Sequence, residues 1–178
     1  YPGIFEDEWQ PSGYPLFLAG LRAITDWLPL TVAVQHLLGI ATGLLLYATA
    51  RRAGAGALAS LLPAVVVFFS AEHLFLEHVL LTESLWIFLL TAALYAVVRG
   101  GLDERYRWLV LAGAVLGLSI TARNVSTPLP VVFALWAALV AAGPARNRVR
   151  AGVAVLLPAV LVVGAYVTLA SSIGRYTG

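Results

Sequence analysis

From residue 71 to residue 83 the chain reads Ala-Glu-His-Leu-Phe-Leu-Glu-His-Val-Leu-Leu-Thr-Glu, which puts three carboxylates (Glu72, Glu77, Glu83) and two histidines (His73, His78) within 12 residues of otherwise apolar sequence. Ionisable groups beside an apolar helix at a membrane surface are costly to keep there and are functional candidates for that reason. In a continuous helix Glu72 and Glu83 would share a face, because eleven steps of about 100° return to within about 20°. His73 and Glu77, at i and i+4, would be neighbours on a different face. A His–Glu pair can ligate a divalent ion, but the spacing is not His-Glu-x-x-His and no third ligand lies close by, so no metal site is assigned. If a divalent cation does bind, oxygen ligation of a hard ion by the acids is the fitting form. The bland alternative is that these groups solvate a loop. It is weakest for Glu83, which stands at the head of a long apolar run, where a carboxylate also complements the helix dipole.

Arg123 is the second candidate. It follows an apolar run, and its neighbours Asn124, Ser126 and Thr127 are all hydrogen-bonding residues. A guanidinium held there offers a bidentate fork to a phosphate at headgroup level, or else it snorkels or pairs with a carboxylate. A third cluster, Glu6-Asp7-Glu8-Trp9 through Tyr14, combines acids with aromatic rings. Such rings anchor a chain at the membrane boundary or stack on sugars.

The elements that must position these groups follow from composition. Of the 178 residues 61% are hydrophobic and 11% charged, with a mean hydropathy of +0.90. Soluble domains run nearer 45–50% and about 25%. A soluble globule is excluded, and the alternating ten-residue segments of a β-barrel are absent, so the expected fold is an all-α, polytopic transmembrane bundle. Apolar runs at 30–50, 53–70, 80–98, 108–122, 126–142 and 151–170 give about six spans, with Pro128 and Pro130 opening the fifth. Residues 14–24 are apolar but too short to cross, and are expected to form an interfacial helix. Gly39/Gly43 and Gly113/Gly117 are GxxxG pairs that let helices approach closely.

Eight of the 11 arginines fall in three loops on one side of this arrangement (Arg51-Arg52, Arg99 to Arg107, Arg146 to Arg150), while seven of the nine acids fall on the other. Cytoplasmic loops retain arginine, so the acidic side, with the candidate residues, is expected to be extracytoplasmic. The chain thus reads as one transmembrane domain: an outer loop with the interfacial helix (1–29), six transmembrane helices (30–170) and the start of another outer loop (171–178). With no methionine and an opening inside a polar loop, it reads as a fragment. The absence of cysteine excludes disulfides, thiolate metal sites and cysteine nucleophiles.

At these residues the sequence resembles the GT-C glycosyltransferases, most of all the branch related to protein mannosyltransferases and the lipid A aminoarabinose transferase. The resemblance lies in Ser12-Gly-Tyr-Pro-Leu-Phe-Leu18, Gln35-His36-Leu-Leu-Gly39, Leu80-Leu-Thr-Glu-Ser84 and Gly117-Leu-Ser-Ile-Thr-Ala-Arg123. It implies a polytopic enzyme of the cell membrane, in bacteria the inner one, that moves a sugar from a polyprenyl-phosphate donor to an acceptor on the extracytoplasmic face with inversion. Within it Glu83 matches a catalytic acidic position and Arg123 a carrier-phosphate site. The family's principal catalytic Asp usually precedes Gly-Tyr-Pro by more residues than stand here, and Asp7 is the substitute in view. Tyr14, Glu77, His78 and Asn124 complete the expected substrate-binding set. The implied partners are the lipid-linked sugar, membrane lipid and a glycan, lipid or protein acceptor, with no nucleic acid. No cofactor is called for, a divalent cation being the one option. The competing class is a transporter or flippase with an outer-face cation or proton site. It would want ionisable groups in mid-membrane, where Gln35 and His36 are the strongest polar side chains.

Overall fold

A long apolar segment in lipid has no water to satisfy its backbone, so each run must close its hydrogen bonds within itself as a helix. The computed structural model, which describes residues 13–24, 26–69 and 82–176, shows helices at all six apolar runs and no strand among the described residues. In chain order these are α1 (Gly13–Arg22), α2 (Leu28–Arg52), α3 (Ala57–Phe69), α4 (Thr82–Leu102), α5 (Tyr106–Ala122), α6 (Leu129–Val140) and α7 (Ala145–Tyr176). A single 3-10 turn, Asn124–Ser126, joins α5 to α6. By length and hydropathy α2, α4 and the Ala145–Ser172 part of α7 can cross a membrane, and α3, α5 and α6 are shorter apolar helices. The protein is a membrane helical bundle.

Several boundaries differ from the sequence reading, most of all that of the last helix, expected over 151–170 and found over Ala145–Tyr176. The third apolar helix was expected to stop at residue 98 but continues through Arg99, Gly100 and Gly101 to Leu102. The Arg99 guanidinium is held 4.1 Å from the centroid of the Trp108 ring, so the charge is accommodated within the last turn of α4 instead of breaking it. The fifth is shorter than expected. Pro128 caps α6 and Pro130 lies in its first turn, so the 3-10 turn carries residues 124–126.

The core is made of small residues. Ala93, Ala96 and Val97 of α4, Ala112 and Leu116 of α5, Ala134 and Ala137 of α6, and Ala151 and Val155 of α7 form one buried cluster. Larger apolar side chains point outward, with Leu58 83% and Phe69 80% exposed. This inverts the soluble pattern, because lipid solvates Leu and Phe as well as a protein core does and helix association depends on close backbone approach. Gly113 and Gly117 show why. A Cβ on Gly113 would collide with the Val155 carbonyl, and one on Gly117 would come within 2.9 Å of the Ala159 carbonyl. This GxxxG face is therefore the seat of α7 on α5.

One end of the bundle is clamped by charge. Asp103, in the turn after α4, pairs with Arg52 at the end of α2 and lies 3.9 Å from Arg99 Nε. Arg99 also donates to the Tyr95 hydroxyl at 3.0 Å. The opposite end, where α4 begins and α5 finishes, holds Glu83 and Arg123.

Candidate functional site

Glu83 lies in the first turn of α4, where the exposed N–H groups of the helix favour a carboxylate. Arg123 is the residue at which α5 stops: its backbone is extended (φ −150°, ψ 124°) while its N–H still bonds the Ser119 carbonyl. Though 40 residues apart in the chain, the two meet. Arg123 Nη1 donates to Glu83 Oε1 at 2.7 Å, and the Thr82 hydroxyl donates to Glu83 Oε2 at 3.3 Å. The side chains keep 39% and 24% of their exposure, so the pair is open to a ligand. The sequence reading left Arg123 between a phosphate fork and a partner for an outer carboxylate. The structure shows the carboxylate contact, and it engages one edge of a group that carries five N–H donors.

Trp86 was not singled out from the sequence. One helical turn beyond Glu83, it shares that residue's face. Its ring lies beneath the guanidinium, 5.4 Å from Arg123 Cζ to the ring centroid. The ring is itself fixed, because Nε1 donates to the fully buried Ser126 hydroxyl at 2.6 Å. The 3-10 turn that presents Ser126 is tied by Ser126 N–H to the Arg123 carbonyl at 3.1 Å and by the Thr127 hydroxyl to the Asn124 carbonyl at 2.6 Å. The backbone that carries Arg123 thus also carries the residue that orients the plate under it. The available signal was the aromatic three positions after the acid in Thr82-Glu-Ser-Leu-Trp86.

α1 lies over this end. Gly13 packs on the last turn of α5 so closely that a Cβ there would come within 2.5 Å of the Thr121 carbonyl oxygen, so a larger residue would lift the helix off. The contact carries Tyr14 inward. Tyr14 is only 6% exposed, and its hydroxyl is buried without a hydrogen-bond partner among the described residues. Burial, and secondly the charge of Glu83, push its pKa above the ordinary phenol value, so it stays a neutral O–H donor. Tyr14, Pro15, Thr82, Ala122, Arg123, Asn124 and Val125 line an open cleft of about 510 Å³.

Of the expected site residues, Tyr14, Glu83, Arg123 and Asn124 therefore converge on this end of the bundle. Asp7, Glu77 and His78 lie outside the described residues, as do Glu72 and His73 and with them the expected helix face shared by Glu72 and Glu83. Among the described residues no group of three or more His, Cys, Asp or Glu side chains could hold a metal ion. A preorganised cation, an adjacent carboxylate and a neutral phenolic donor around an open cleft can bind a phosphate oxygen and offer a base to a hydroxyl nearby.

Comparison with known families gives one match. The model described as dolichyl-phosphate-mannose-protein mannosyltransferase matches residues 11–170, a range that takes in Tyr14, Glu83, Arg123 and every described helix up to most of α7. No curated protein and no solved structure matches the chain.

Proposed function

Because the chain belongs to the dolichyl-phosphate-mannose-protein mannosyltransferase family, a family of membrane glycosyltransferases that use lipid-linked sugar donors, we propose that the cleft between α1, α4 and α5 is where the sugar leaves its carrier. The donor is a polyprenyl-phosphate sugar that enters from the bilayer with its phosphate at the level of Arg123. The acceptor hydroxyl attacks the anomeric carbon from the face opposite the phosphate. As the new C–O bond forms, the bond to the phosphate oxygen breaks and the acceptor proton passes to a carboxylate, so the sugar is transferred with inversion in one displacement. The edge of the Arg123 guanidinium turned away from Glu83 stabilises the charge that develops on the leaving phosphate, and Tyr14 and Asn124 add hydrogen bonds. Glu83, with Asp7 from the first loop, supplies the carboxylate function; Glu77 and His78 bind the acceptor side. The active end is placed on the extracytoplasmic side of the cell membrane, the end opposite the arginine-rich loops.

The observation that supports this reading best is the 2.7 Å contact of Arg123 with Glu83 in an open cleft, since transfer needs a phosphate-binding cation and a carboxylate within one sugar of each other. The transfer as drawn uses no cofactor. A divalent cation held by the outer acids is the alternative, and it would make transfer sensitive to EDTA. The test is incorporation of labelled sugar from a polyprenyl-phosphate donor into membranes carrying the protein. Glu83→Gln and Arg123→Ala should each abolish most of it, and undiminished transfer in both would remove these residues from the site.

A further inference from the structure

The opposite end of the bundle has a second cleft, of about 180 Å³, that the transfer reaction does not use. Five small residues, Gly100, Gly101, Ala141, Ala142 and Ala151, leave room in its walls beside Leu109. Two opposite charges line it, Glu104 and Arg150. Neither has an ion-pair or hydrogen-bond partner among the described residues, and they do not pair with each other.

Glu104 is left over for a structural reason. Its neighbour Asp103 takes Arg52 and approaches Arg99. Glu104 itself sits in the left-handed region at φ 52°, in a turn closed by Arg105 N–H on the Gly100 carbonyl at 3.0 Å. A non-glycine residue in that conformation is uncommon. The turn puts its carboxylate at the cleft while the clamp forms beside it.

The depth of this cleft identifies its solvent. At about 1.5 Å per residue, Gly100 and Gly101 stand roughly 27–29 Å along α4 from Thr82, close to the ~30 Å thickness of a bilayer's hydrocarbon core. The cleft therefore opens at headgroup level when the other end of α4 lies at the opposite boundary. Leu102, Val149 and Val153, each within two residues of a lining residue in the chain, are exposed and apolar, which suits acyl chains and not free water. A purely anionic ligand would meet the Glu104 carboxylate, and a purely cationic one the Arg150 guanidinium. A ligand with a phosphodiester and a primary ammonium a few bonds apart satisfies both, with Tyr106 and Asn147 as further hydrogen-bonding groups in the lining.

We propose that this cleft binds the zwitterionic headgroup of an ethanolamine phospholipid, with the phosphate on Arg150 and the ammonium on Glu104. This site is independent of the transfer reaction and of its proposed residues. The test uses the full chain, purified in detergent, in native mass spectrometry with phosphatidylethanolamine, phosphatidylcholine or phosphatidylglycerol of matched acyl chains. Choline has no N–H to donate and glycerol no charge to pair, so the ethanolamine lipid should be retained about tenfold better than either, the scale of one charge-assisted hydrogen bond. Glu104→Gln should erase the preference over phosphatidylcholine, and Arg150→Gln should reduce retention of the ethanolamine lipid about tenfold. Both side chains are exposed and unpartnered among the described residues, so the thermal midpoint of each variant should match the parent and show that the fold is intact. Equal retention of the three lipids, a preference for phosphatidylglycerol, a preference over phosphatidylcholine that survives Glu104→Gln, or retention unchanged by Arg150→Gln overturns the assignment.

Discussion

Removing the Arg123 guanidinium separates two roles that the structure alone leaves superposed, because the magnitudes differ. As a structural group, Arg123 makes one 2.7 Å ion pair between side chains 39% and 24% exposed, and one contact with Trp86 at 5.4 Å. A partly exposed pair contributes about 0.2–1 kcal/mol after solvent screening, and a cation–π contact at an exposed site about 0.5–1 kcal/mol. Arg123→Ala should thus lower stability by roughly 1–2 kcal/mol, read as a shift of a few degrees in thermal unfolding of the detergent-purified protein. As the group that stabilises a leaving phosphate, it would contribute what a preorganised donor at a developing charge contributes, about 2.7–4 kcal/mol, or 10²–10³ in rate. Transfer of labelled sugar from a polyprenyl-phosphate donor at saturating donor should therefore fall at least about 100-fold in Arg123→Ala. Arg123→Lys should recover only part of it, since an ammonium lacks the second edge that remains when Glu83 occupies the first. A loss of transfer below about fivefold would match the stability change alone and refute the phosphate role.

Other perturbations test the supports of this site and of the bundle. Trp86→Phe keeps a ring under Arg123 but loses the bond to Ser126, so the donor KM should rise by several-fold with the helical fold intact by circular dichroism. Tyr14 has a pKa raised by burial. Its folded form therefore holds its proton when the unfolded form has lost it, so that its contribution is complete below pH 10 and is lost as the pH climbs above 10. A pH series of thermal midpoints should show a steeper alkaline decline in the parent than in Tyr14→Phe. Gly113→Val should abolish folding or cost more than about 3 kcal/mol, measured by unfolding in detergent, because its side chain must enter the Val155 carbonyl. Asp103→Asn should lower the unfolding midpoint only slightly by the same measurement, as it weakens the solvent-screened links to Arg52 and Arg99 together.

Most of the architecture is legible in the sequence because lipid leaves a long apolar segment one option. Runs such as those of α2, α4 and α7 must be helices wherever they pack, so their existence follows from hydropathy, and even the short α1 is marked by its length. Charge placement was legible for a similar reason: a lipid core excludes ions, so the few charges had to fall at the ends of helices, and Glu83 and Arg123 could be assigned to one end before any packing was known. Helix boundaries were less so. The sequence alone could not show that α4 would run on past Arg99, since that depends on Trp108, from the next helix, lying against the guanidinium.

Contact was the part that sequence could not supply. Two residues 40 positions apart at the same membrane level can stand on opposite sides of a bundle; Arg123 reaches Glu83 because α4 and α5 pack against each other through Ala93, Ala96, Ala112 and Leu116. The burial of Tyr14 depends on Gly13 meeting the Thr121 carbonyl, and the role of Trp86 depends on a 3-10 turn that presents Ser126. At the other end Asp103 and Glu104 are adjacent acids in the sequence, and only the turn between α4 and α5 pairs one with arginine and leaves the other at a cleft. Hydropathy is a property of segments and acts through the solvent, so it can be read along the chain. A site is a property of distances between segments, and those are set by which small residues let which helices come together.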